Sequence, residues 1–178
     1  CEALVDGKMT LIPPLENLEE FTLDGIEYEA FNTSGGLGSL GESLAGRARN
    51  VNYKTIRYPG HCKLIKFLLN DLGFIDHRQQ LCDVFDRSIP ATDDDVIVIL
   101  CVAIGIENGR LVEKIDARRV PAKKMQGKHW TGIQITTAAG VCAVLDMLKD
   151  GQVPQKGFVK MEDVSYDAFI ANRFGREY

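Results

Sequence analysis

Three observations predict an α+β fold with a mixed, largely antiparallel sheet covered by helices on one face. Strand-like runs come in pairs around two-residue turn signals, Asp24-Gly25 and Asn108-Gly109. Helical periodicities fall between these pairs irregularly rather than after every strand. A doubly wound fold needs regular βαβ alternation, which the chain lacks.

The elements follow in order. Lys8–Ile12 reads as a short strand that stops at Pro13-Pro14, where backbone donors are lost. Leu18–Leu23 and Ile26–Asn32 flank Asp24-Gly25 as a hairpin. Gly35–Gly46 is a glycine-rich turn opening a short helix, with Leu40 and Leu44 on one face. Arg49–Tyr58 is rich in β-formers and ends at Pro59-Gly60. Cys62–Leu72 predicts an amphipathic helix stopped by Gly73, and residues 78–87 a shorter one. Val96–Ile104 reads as a strand buried on both faces, and Arg110–Val120 returns from the Asn108-Gly109 turn. Thr131–Lys149 is the strongest helix. Its expected inward stripe is Ile133, Thr137, Val141, Val144, Leu145 and Leu148, and Ala138-Ala139-Gly140 would admit a close neighbour. A last helix spans about Asp163 to Arg173, with Phe169 and Ile170 inward.

Composition narrows the class. The chain has 178 residues, 45% hydrophobic and 26% charged, which is enough to build a core without staples. A net charge of −4 argues against a nucleic-acid binder. The longest uninterrupted apolar run is Val96–Ile104, short of the ~18 residues a membrane span needs, so no membrane partner is expected. Five widely spaced cysteines without a C-x-x-C predict free thiols and a cytoplasmic setting. The start at Cys1 points to an excised domain or a processed N-terminus. No H-x-x-x-H or Cys/His cluster is present, so no metal site is expected.

Two features carry possible chemistry. Gly36-Leu37-Gly38-Ser39-Leu40-Gly41 fits G-x-G-x-x-G, but no Asp or Glu lies between Glu42 and Asp71 to take a ribose hydroxyl. The loop is then either a plain turn or a set of amides suited to an anion such as a carboxylate. The second feature is the stretch Ser43–Asn70, which has six cations (Arg47, Arg49, Lys54, Arg57, Lys63, Lys66) and no acid, leaving −10 on the rest of the chain. It suits an anionic ligand, a solvated basic face, or pairing with acids elsewhere. Arg57, before Tyr58-Pro59-Gly60-His61, offers a planar fork for a carboxylate. His61 suits a proton exchange or a local cap. Trp130 reads as core or interface, and Asp93-Asp94-Asp95 as a solvated turn.

The blocks Asn32-Thr33-Ser34-Gly35-Gly36-Leu37-Gly38, Asn52-Tyr53-Lys54-Thr55-Ile56-Arg57-Tyr58-Pro59-Gly60-His61 and Thr136-Thr137-Ala138-Ala139-Gly140, with the closing Asn172-Arg173-Phe174-Gly175-Arg176, resemble the C-terminal part of saccharopine dehydrogenase-like oxidoreductases. This group includes saccharopine reductase and lysine 6-dehydrogenases. The second of these blocks is the most specific.

The resemblance implies several expectations. The fold would resemble the C-terminal domain of glyceraldehyde-3-phosphate dehydrogenase-like proteins. Residues 1–150 would form a substrate-binding and oligomerisation domain, and 151–178 a helical extension packed on a separate Rossmann domain. That absent domain would hold NAD(P), with no cofactor bound by this chain, which alone would be inactive. The full-length parent would transfer hydride between NAD(P) and a C–N bond of a lysine-derived amino acid. Arg57 would hold a substrate carboxylate, Ser34, Gly35 and Gly36 would line the pocket, and Lys54 and His61 would aid positioning or proton transfer. A homodimer or higher homo-oligomer is implied. The alternative is a non-catalytic dimerisation module, and the two differ in whether Arg57, Lys54 and His61 converge on a concavity or lie beneath a partner sheet.

Overall fold

The computed structural model describes all 178 residues, which form two compact units, Cys1–Pro90 and Ala91–Tyr178. The chain is α+β, as the alternation of hairpins and helices predicts. The single mixed sheet is not: the strands form one three-stranded and three two-stranded sheets, and every pairing is antiparallel. The cause is local. Four hairpins close through two-residue turns, Asp6-Gly7, Asp24-Gly25, Asn108-Gly109 and Gln126-Gly127. Both residues of each turn have φ between 47° and 77°, the left-handed geometry that matches strand twist.

In the first unit, β1 (Glu2–Val5) pairs with β2 (Lys8–Leu11), and Leu4 also bridges Val51 through two backbone bonds of 2.8 and 2.9 Å. β3 (Glu19–Leu23), β4 (Ile26–Phe31) and β5 (Thr55–Arg57) form the three-stranded sheet in that order. The expected strand Arg49–Tyr58 is therefore mostly irregular, pairing only at Val51 and over Thr55–Arg57. A single turn, α1 (Leu40–Ser43), follows the glycine loop. The predicted helix at 62–72 starts one residue earlier as α2 (His61–Lys66) and widens into a π turn over Phe67–Asp71. Gly73, at φ 71°, ends it, and α3 (Arg78–Ser88) comes next. Ala3, Leu4, Tyr28, Ala30, Phe31, Cys62 and Leu81 are buried and form this unit's core.

In the second unit, β6 (Val96–Glu107) and β7 (Arg110–Pro121) make a hairpin paired over its full length. β6 is not buried on both faces. It is half-buried up to Leu100 and exposed from Cys101 onward. β8 (Lys123–Met125) and β9 (Lys128–Trp130) form a small hairpin that contains Trp130. It leads into α4 (Gly132–Lys149).

The buried stripe of α4 is Gly132, Ile135, Thr136, Ala139, Ala143 and Met147, whereas Ile133, Val141, Leu145 and Leu148, expected inward, face outward. By length and composition α4 is long and apolar enough to cross a membrane, which a count of uninterrupted apolar residues overlooks. α5 (Tyr166–Ala171) and the turn Gly175–Glu177 pack on α4 rather than standing apart from it. The Tyr178 hydroxyl donates to Thr136 O at 2.6 Å, in the gap that Gly140 leaves. Along the sequence, the division between the two compact units falls between Pro90 and Ala91.

The N-terminus of α4 is held twice. Thr131 Oγ1 accepts from Gln134 N, and Gln134 Oε1 accepts from Thr131 N, a reciprocal cap. The Asp95 carboxylate accepts from Gly132 N and, at 3.0 Å, from Ile133 N. Asp95 is thus a cap rather than a solvated turn residue, and Asp93 O and Asp94 instead engage the His129 ring. Asp95→Ala is expected to cost about 1–2 kcal/mol in urea unfolding, and Asp94→Ala, at an exposed carboxylate, less than about 0.5 kcal/mol. Equal costs would mean that Asp95 acts only as surface charge.

Candidate functional site

The six cations of Ser43–Asn70 divide evenly. Arg49 pairs with Asp6 at 2.9 Å, Lys54 with Glu19 at 2.5 Å and Lys66 with Glu16 at 2.9 Å. The run is therefore partly neutralised by acids 35 to 50 residues upstream. Arg47, Arg57 and Lys63 have no carboxylate within 4.0 Å.

Arg57 closes β5 and is exposed, with its Nη1 donating to Ile56 O at 2.8 Å. Its cross-strand neighbour is Glu29, so the two residues share a face of the sheet. Glu29 is nonetheless committed elsewhere. It is 2% exposed, and its carboxylate accepts from Gly60 N at 2.8 Å and Cys62 N at 2.5 Å. It satisfies the donors that open α2, beneath a chain reversal made by Gly60 at φ 94°. Sequence reasoning missed this residue.

His61 stacks on Phe31 with ring centroids 5.8 Å apart. Partial desolvation of the exposed ring, then the Arg57 charge, holds it below the usual imidazole range, with Glu29 opposing, which favours the neutral form. Tyr58 stacks on Tyr28, which stacks on Phe21, at 5.6 and 5.8 Å. Beside them the Cys62 thiol donates to Leu15 O, and burial pushes it up, away from reactivity. The Tyr53–His61 block thus presents one uncompensated guanidinium, one neutral imidazole and an exposed Tyr58 ring at the mouth of a strand-to-helix turn.

Lys54 lies elsewhere. Its side chain is 8% exposed, and besides Glu19 it donates to Asn17 O at 2.7 Å. It lines an open cavity of about 340 Å³ with Leu4, Asn17, Glu19, Asn50 and Asn52, to which neither Arg57 nor His61 contributes. The second unit has a cavity of about 440 Å³ lined by Asp94, Asp95 and Arg119, which includes none of the six predicted residues.

Ser34, Gly35 and Gly36 follow the far end of β4. A Cβ on Gly35 would sit 2.6 Å from the Tyr53 ring, so that glycine serves packing. Just before them, buried Asn32 donates to Tyr53 O at 3.1 Å, and the Thr33 and Thr55 hydroxyls bond at 2.8 Å. Asn32 Oδ1 has no partner. The glycine fingerprint sits between antiparallel strands and opens a single helical turn, not the parallel βαβ unit of a dinucleotide site. The six predicted residues are therefore not brought into one concavity: Arg57 and His61 adjoin, Lys54 lines a separate cavity, and Ser34, Gly35 and Gly36 form a third place. No protein-family model matches the sequence.

Proposed function

We propose that this chain is the substrate-binding and oligomerising part of a cytoplasmic, NAD(P)-dependent oxidoreductase of the saccharopine dehydrogenase-like group. The reaction is hydride exchange at a C–N bond of a lysine-derived amino acid. The nucleotide is held by a separate Rossmann domain, and this chain alone is inactive. The observation that carries the reading is Arg57. It is an exposed guanidinium with no carboxylate partner, inside the block that bears the closest resemblance, and next to a neutral imidazole. A substrate carboxylate would take its two parallel donors, while His61 accepts a hydrogen bond from an amino group. A dimerisation module with no ligand is the second reading, favoured by the scatter of the six predicted residues and by the exposed apolar face of the β6–β7 hairpin.

The test is Arg57→Ala in the enzyme that carries both domains. KM for the amino acid is expected to rise about 10- to 150-fold, the worth of a charge-assisted bond, with KM for the nucleotide unchanged. Arg57→Lys should recover only part of this, since an ammonium makes no paired bonds. Melting temperature should hold, because no acid is left unpaired. An unchanged KM for the amino acid would overturn the substrate reading in favour of the assembly module.

A further inference from the structure

We propose that the outward face of the β6–β7 hairpin is a twofold interface between two copies of this chain. The inference rests on the self-association in the reading above and supplies its surface.

Register defines the two faces, since directly opposed residues lie on the same side. One face carries the pairs Ile97↔Val120, Ile99↔Arg118 and Cys101↔Asp116. The unit covers this face itself. A Cβ on Gly132 would lie 2.5 Å from Val120 O, Arg118 donates to Tyr178 O, and Asp116 accepts from the Tyr166 hydroxyl. The other face carries Val102, Ile104, Ile106, Leu111 and Ile115, which are 51–75% exposed. A two-stranded ribbon with an open apolar face is marginal by itself in water, and β6 has no charged residue before Glu107 to keep partners off.

The charge pattern points to a second copy as the occupant. Only two charged residues lie on this face, Glu113 opposite Ile104 and Arg119 opposite Val98. Both are exposed and neither is in an ion pair within the chain. They stand three residues either side of Asp116 on one strand. A twofold axis crossing the hairpin at the Cys101↔Asp116 level, in the plane of the interface, stacks β7 antiparallel on β7 and β6 on β6. Glu113 then meets Arg119 of the second copy, twice, and the remaining contact is apolar on apolar. Two sheets about 10 Å apart leave room for both side chains to reach. The face is complementary to itself, the requirement of an isologous contact.

The experiment is sedimentation velocity on the 178-residue chain at about 50 µM, with circular dichroism confirming that each variant is folded. A dimer is expected. Glu113→Arg alone and Arg119→Glu alone should each raise Kd at least about tenfold, by placing like charges across the axis twice. The double variant Glu113→Arg/Arg119→Glu should return Kd to near its starting value. Ile115→Lys should leave only monomer. A monomeric parent chain, a double variant no tighter than either single, or a dimer untouched by Ile115→Lys would each overturn the proposal. None of these readings depends on KM, so the interface and the substrate site fail or survive separately.

Discussion

Glu29→Ala is expected to destabilise the first unit by about 3–5 kcal/mol in urea unfolding of the chain. The variant strips the acceptor from Gly60 N and Cys62 N, which open α2 in a buried setting. A buried donor left without a partner costs about 1–3 kcal/mol, and two are orphaned together. The vacated side-chain volume adds a cavity term. Glu29→Gln keeps one carbonyl acceptor and should cost about half as much. The loss should also reach the candidate site, because His61 lies between the two donors and rests on Phe31. Broadened or doubled His61 ring resonances in Glu29→Gln would report that coupling. A cost below about 1 kcal/mol for Glu29→Ala would mean that water replaces the carboxylate and that Glu29 does not hold the turn.

Glu29 also illustrates where the sequence stops being informative. In Ile26–Phe31 the glutamates at 27 and 29 alternate with Tyr28 and Ala30, a pattern that places both acids in solvent. Glu27 is exposed, but from Tyr28 onward the strand is buried on both faces. The second cover is α2, some 30 residues downstream, and periodicity within one strand carries no trace of it. The ion pairs of Lys54, Arg49 and Lys66 were illegible for the same reason, since their acids lie upstream at Glu19, Asp6 and Glu16.

What was legible was local. The turns at Asp24-Gly25 and Asn108-Gly109 are legible from residue type alone, whereas Gln126-Gly127 reaches the same backbone geometry without the Asn or Asp that marks such a turn. The extent of α4 was equally plain from its periodicity, its Thr131 opening and the stop at Gly151. Its orientation was not. A helix apolar nearly all round offers no polar face to fix which side is inward. Close approach decides it at one end: Val120 O leaves no room for a Cβ at Gly132, so that side of the helix lies against the hairpin, with Ile135, Thr136, Ala139, Ala143 and Met147 buried along it and Ile133, Val141 and Leu145 facing outward.

Gly175→Ala is expected to cost about 3 kcal/mol or more and to release the closing segment from α4. A Cβ there would collide with Phe169 O and lie 2.7 Å from Phe169 C, both backbone atoms of α5. A flexible side chain could swing aside, but a helix carbonyl can yield only if the helix moves. That movement is resisted from several sides. Arg173 donates to both carboxylate oxygens of Asp146 at 2.8 Å, Asn172 donates to the same carboxylate at 3.3 Å, and Lys123 pairs with Glu177. The Tyr178 hydroxyl, bonded to Thr136 O, fixes the last residue. The strain therefore either breaks these contacts or pushes α5 off α4. Gly41→Ala is the control: its Cβ would meet the Met9 sulfur at 2.8 Å, at the far end of a pliable side chain, and should cost less than about 1 kcal/mol. Hydrogen exchange over residues 163–178, together with urea unfolding, separates the two variants. Wild-type protection of that segment in Gly175→Ala would show that α5 and the terminal turn shift together without strain, and the close approach of Gly175 to Phe169 would then hold nothing in place.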